Sequence, residues 1–226
     1  MNKNYVEIVV SRYNEKLEWL DEYPFNQFTY TVYNKGINQE FNKTNVVQII
    51  DLPNVGRCDH TNIYHIVNNY NNLAPITVFF PGSIDGVEMK KNNAIKILEN
   101  IKKYKTAIFL GSYVDNLKTH FNNFILDDWV CTNSENSSLN PESKLSPAIL
   151  RPFGKWFNYH FGNIIVKYYC FHGILSIHKL DIIKHPLIRY QQLLGALDKH
   201  SNPEVGHYVE RSWAALFHPL LFTKVI

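Results

Sequence analysis

Apolar and polar positions alternate in blocks along this chain, and the blocks predict its elements. Residues 5–10, YVEIVV, are apolar apart from Glu7 and are followed at once by polar SRYNE, the pattern of a buried first strand. FTYTVY at 28–33 and NVVQII at 45–50 carry the β-branched and aromatic residues of short strands. After the LPNVG turn, Asp59 is placed to cap a helix whose Ile63, Ile66, Val67 and Tyr70 share one face. ITVFF at 76–80 is another apolar run, ended by PGS. Residues 90–104 set Ala94, Ile97, Leu98, Ile101 and Tyr104 at helical spacing with lysines between them, and TAIFLG at 106–111 reads as the next strand. Strand, helix, strand, helix, strand predicts an α/β fold with helical crossovers.

The second half begins with TNSENSSLNPESKLS, residues 132–146, a polar stretch that predicts a mobile loop. Beyond it, 152–162 (PFGKWFNYHFG) reads as an aromatic helix or helical turn and 164–177 as one or two strands. Residues 186–198 and 203–217 read as helices. No internal repeat occurs, and 226 residues can bury one full core, so a single domain over 1–226 is expected.

Composition changes this picture only by exclusion. The net charge of +3 is small and scattered, which leaves nucleic acid without the basic patch it needs. Cys58, Cys131 and Cys170 are an odd number and contain no CxxC pair, so neither a disulfide framework nor a structural zinc site is expected. MNKNYVEIVV lacks a signal-peptide pattern and no run approaches the roughly 20 apolar residues of a membrane span; a cytoplasmic location without a transmembrane segment is expected.

Candidate chemistry concentrates in two stretches. NPEVGHYVERSW, 202–213, opens as a helix should: Asn202 can cap, Pro203 suits the first turn, and the dipole favours a carboxylate at Glu204. Glu204, His207 and Arg211 then fall on one helical face. SRYNE, 11–15, directly follows a buried strand, where ligands of open α/β sheets bind; capping of the next helix by Asn14 and Glu15 is the plainer alternative. Three of the five arginines, Arg12, Arg57 and Arg211, sit in the compact motifs SRYNE, GRCDH and ERSW, where a planar fork suits phosphate or carboxylate as well as internal ion pairs. His60 and His65 would lie about 140° apart on a helix and cannot share a zinc ion. GxGxxG, the P-loop and GxSxG are all absent, which removes dinucleotide, P-loop and α/β-hydrolase readings.

VEIVVSRYNE resembles the opening of nucleotide-sugar-dependent glycosyltransferases of the GT-A fold. NVGRCDHTNIYHIVNNYNNLAPITVFFPGS, PFGKWFNYHFG, GILSIHKLDIIKHP and NPEVGHYVERSWAALF together resemble a family of uncharacterised domains found in fungi, bacteria and large viruses. The resemblance implies a mixed, mostly parallel sheet flanked by helices, and a transferase moving a sugar from a nucleotide-sugar such as a UDP-sugar to a glycan or glycoprotein hydroxyl. With no signal-peptide pattern, that activity is expected in the cytoplasm, or in a virus factory if the protein is viral. The resemblance also implies donor binding by Ser11, Arg12, Tyr13, Asn14, Glu15, Arg57, Asp59 and Arg211. GT-A enzymes commonly hold a divalent metal with Asp-x-Asp; here Ser83-x-Asp85 is a degenerate version, so Mg²⁺ or Mn²⁺ (manganese) would rely on Asp85 and His207. Sugar transfer needs a carboxylate base, for which Glu204 is the first candidate and Glu210 the second. Trp156 and Tyr159 would offer an acceptor platform, with core packing the plainer role. A catalytically inactive nucleotide- or carbohydrate-binding module is the alternative.

Overall fold

Val6, Ile8, Val9 and Val10 are β-branched, extend readily, and alternate between two faces, so one strand of this kind must feed two cores. The structure is a computed structural model that describes residues 5–127 and 144–226. In it Val6, Ile8 and Val10 join one buried cluster and Val9 the other. The central sheet comprises β1 (Val6–Arg12), β2 (Tyr30–Asn34), β3 (Val46–Asp51), β4 (Ile76–Pro81) and β8 (Leu175–His178). Its order is β3-β2-β1-β4-β8, parallel except for antiparallel β8. The expected α/β fold with a mixed, mostly parallel sheet flanked by helices is therefore what the chain forms. Strands β5 (Ala107–Phe109) and β9 (Thr223–Val225) pair in parallel, and β6 (Ser112–Tyr113) pairs with β7 (Tyr168–Tyr169).

Helix α1 (Arg57–Asn69) lays Ile63 and Ile66 on one face of the sheet, and α2 (Glu88–Tyr104) lays Ala94, Ile97, Leu98 and Ile101 on the other. The first face also carries α4 (Phe153–Phe161), α6 (Leu187–Leu197) and α7 (Glu204–Leu216), with short α3 (Leu117–His120) and α5 (Lys179–Ile183) between elements. Burying each of those isoleucine and leucine side chains contributes about 1.5–3 kcal/mol, so both faces are firmly held. Among the described residues no helix is long and apolar enough to cross a membrane. Residues 132–143 of the expected polar loop lie outside the described residues; Ser146, at its end, bridges to Pro203.

Two helix starts differ from expectation. Asp59 does not cap α1; Gly56 and Arg57, at φ 59° and 56°, turn the chain into the helix two residues earlier. Asn202 does not cap α7 either, since Pro203 holds the cap position with no side-chain bond. Glycine is required beside SRYNE at Gly36, where a Cβ would lie 1.7 Å from the Tyr13 carbonyl oxygen; at Gly82 a Cβ would lie 2.8 Å from Glu15 Oε2 and press on that carboxylate.

Candidate functional site

From β1 the chain steps outward to β2 and β3, then returns to place β4 on the other side of β1. Such a reversal leaves a crevice outside the carboxyl ends of the two strands. A cavity of about 490 Å³ opens there, within the size range of small-molecule sites. Ser11, Arg12, Tyr13 and Glu15 line it from the end of β1, and Lys35 from the end of β2. Arg57 and Cys58 line it from α1, Ser83 and Lys90 from the segment after β4, and His207, Glu210 and Arg211 from α7. Eight of the residues expected to act, Ser11, Arg12, Tyr13, Glu15, Arg57, His207, Glu210 and Arg211, thus meet at one place.

The SRYNE loop is folded by its own side chains. Arg12 is fully buried; its Nε donates to the Glu15 carbonyl at 2.7 Å, and its Nη1 donates to the Asn38 carbonyl at 2.6 Å and to the Asn34 side chain. Its guanidinium lies 4.2 Å from the Phe41 ring centre, and burial lowers its pKa from the ordinary arginine value. Glu15 Oε2 accepts the Tyr13 N–H at 2.7 Å and the Asn14 N–H at 3.2 Å, which turns the loop back on itself instead of capping a helix. Ser11 shares a 2.9 Å hydrogen bond with Thr61. Asn14 stays outside the lining.

On the opposite wall Arg57 Nη1 stands 2.8 Å from His207 Nε2. Burial first, then Arg57 and Arg211, push the His207 pKa down to about 3, so the ring is neutral at ordinary pH. An arginine can only donate, so Nε2 is the acceptor and the ring proton sits on Nδ1. Arg211 stacks 3.9 Å from the Phe124 ring centre and donates to the His207 carbonyl at 2.8 Å. Glu210 Oε1 accepts the His172 N–H at 2.7 Å, and its Oε2 lies 3.8 Å from Arg211. Asp59 does not line the cavity but lies buried behind it, accepting from Trp213 Nε1 at 3.2 Å; burial, then the Glu210 charge, push its pKa up.

Three expectations are corrected by this geometry. Glu204 points away from the cavity and is 0 % exposed. Its carboxylate accepts the N–H groups of Leu126 and Ala148 at 2.8 Å each and the Tyr208 hydroxyl at 2.8 Å, and it forms an ion pair with Arg151, whose Nε lies 2.9 Å away. Three hydrogen bonds and an ion pair hold it inside the protein, away from the cavity lining, so it cannot serve as a base there. Trp156 is 2 % exposed and packed among Phe153, His160 and Tyr208, whereas Tyr159, 74 % exposed, points outward, so the two form no shared platform. Asp85 is exposed on a turn and does not line the cavity, while Nε2 of His207 is occupied by a guanidinium of the wrong charge for a neighbour of a cation. These two residues do not fit a divalent metal, and among the described residues no group of three or more His, Cys, Asp or Glu could hold one.

Sequence reasoning missed Lys35, Lys90, Asn54 and His172, all in the lining. Lys35 could have been found by the rule that singled out SRYNE, because it directly follows a buried strand. In all, five basic side chains, Arg12, Lys35, Arg57, Lys90 and Arg211, face two carboxylates, Glu15 and Glu210, which favours an anionic ligand. Residues 8–221 match the family described as "Protein of unknown function (DUF3431)". No curated protein matches the chain, and no solved structure does.

Proposed function

The chain belongs to the DUF3431 family, and we propose that it is a GT-A-like glycosyltransferase, moving a sugar from a nucleotide-sugar donor to a hydroxyl of a glycan or glycoprotein. The observation that carries the reading is the cation-lined cavity of about 490 Å³ at the reversal of strand order between β1 and β4. A nucleoside diphosphate is the anion whose size and charge suit that place. The acceptor oxygen bonds to the anomeric carbon as the bond from that carbon to the diphosphate oxygen breaks, and the electron pair leaves with the diphosphate. Glu210 takes the hydroxyl proton. Arg57, Arg211, Lys35 and Lys90 offset the charge that develops on the leaving group, in a site where side chains stand in for the divalent ion common among GT-A enzymes.

The degenerate Ser83-x-Asp85, with Asp85 outside the cavity, favours a second reading, a module that binds the nucleotide-sugar without turning it over. A thermal-shift screen of UDP-glucose, UDP-N-acetylglucosamine and GDP-mannose, each with Mn²⁺ and with EDTA, tests binding. At a hundred times Kd a bound donor adds about 2.7 kcal/mol of stability. The expected result is a raised midpoint with at least one donor in both conditions, followed by release of nucleoside diphosphate when acceptor glycans are added. No shift with any donor sinks both readings; a shift without turnover leaves the second.

A further inference from the structure

Lys35 is a cavity side chain whose ammonium is buried against carbonyl oxygens and not against a carboxylate. It is 8 % exposed, and its ammonium donates to the carbonyl oxygens of Val55, at 2.6 Å, and Arg57. Among the described residues no carboxylate lies within ion-pair distance of it. An ammonium has three donors, and two are spent on carbonyls. The side chain lines the cavity at the carboxyl end of β2, beside the β1 end, so the remaining donor belongs to the volume a ligand would fill. A lysine is not needed to hold two carbonyls; a neutral amide would do so without burying a charge.

We propose that Lys35 is the contact for the anionic group of the ligand, and that ligand and one proton enter this cavity together. The inference rests on the reading of the cavity as a nucleotide-sugar site. In the empty protein, burial pushes the Lys35 pKa down to about 7, and the nearby Cys58 and Asp59 only partly counter it. A phosphate placed on the ammonium favours its charged form and restores the proton. Below about pH 7 the lysine is already charged and affinity is flat. Above it each binding event takes up a proton, so affinity falls by about fivefold between pH 7 and 8 and approaches tenfold per unit beyond.

The other charged and titratable groups facing Lys35 come from three elements. Arg12 and Glu15 stand at the end of β1; Arg57, Cys58, Asp59 and His60 stand on α1; His207, Glu210 and Arg211 stand on α7. His60, at about 4, and His207, at about 3, are neutral across the range. Asp59 is the competitor, because burial and Glu210 raise its pKa.

Isothermal titration of UDP-glucose, UDP-N-acetylglucosamine and GDP-mannose, in buffers of different ionisation heat from pH 6.5 to 9, decides the matter; these diphosphate diesters carry no group that titrates near 7. The wild type is expected to take up close to one proton per ligand at pH 8. Lys35→Arg keeps a cation that does not titrate, and is expected to bind with neither proton uptake nor pH dependence. Lys35→Met, with its fold checked by circular dichroism, is expected to bind at least tenfold more weakly at pH 7. Proton uptake that survives Lys35→Arg and disappears in Asp59→Asn overturns the assignment, as does binding by the wild type without uptake, and in both cases the nucleotide-sugar reading stands. No binding of any of the three by the wild type removes that reading, and the inference with it.

Discussion

Glu204 and Glu210 lie six residues apart on one helix, and their surroundings give them opposite chemistry. Glu204 is wrapped by two backbone N–H groups, a phenol and a paired guanidinium, and lies fully buried outside the cavity lining, where no substrate reaches it. Glu210 lines the cavity with one oxygen bonded to the His172 N–H and the other 3.8 Å from Arg211, so it retains capacity to accept a proton. Glu210→Gln is therefore predicted to lower kcat by about 10²–10⁴ while donor Kd changes by less than about threefold. Steady-state kinetics beside a binding titration checks this, and a kcat near wild type would remove Glu210 as the base. Sequence alone ranked these two residues the other way, because the dipole argument sees the helix start but not Arg151, whose approach is a tertiary event.

At the scale of elements, the Glu204 carboxylate fastens the chain at Leu126 and at Ala148 to the first turn of α7, and Ser146 adds a 2.9 Å bond to the Asn202 carbonyl. Leu126 and Asn202 are cavity wall, and His207, Glu210 and Arg211 are the cavity face of the same helix. Wall and helix thus hold one another in place. Glu204→Gln turns an amide NH₂ toward these donors and leaves Arg151 without its buried partner, a loss predicted to cost about 3 kcal/mol in urea unfolding. A change below 1 kcal/mol would show that the clamp is dispensable. Elements were legible where local periodicity was strong: β1 was expected at 5–10 and is Val6–Arg12, and α2 was expected at 90–104 and is Glu88–Tyr104. The run 164–177 stayed ambiguous because it holds two short strands with unrelated partners, Tyr168–Tyr169 against β6 and Leu175–His178 against β4. Which partner a strand finds is not written in its own residues. The start of α1 was misread for a similar reason, since left-handed Gly56 and Arg57 outweigh a plausible cap at Asp59.

For the whole molecule the decisive fact is the order of strands, which brings positions 12, 35, 57, 90 and 211 around one opening. Arg12, Arg57 and Arg211 were recognisable because arginine is sparse in a lysine-rich chain. Lys90 was not, since nothing local separates it from a surface lysine, whereas Lys35 carried the signal of directly following a buried strand; the sheet order brings both to the opening. The central claim is that these cations hold a nucleotide-sugar diphosphate without a divalent ion. Calorimetric titration of UDP-glucose, UDP-N-acetylglucosamine and GDP-mannose in EDTA, with wild type and with Arg57→Met, tests it most directly. The account predicts saturable one-to-one binding of at least one donor, weakened tenfold or more by loss of the charge-assisted contact. Binding that requires Mn²⁺, or that ignores the substitution, would contradict it.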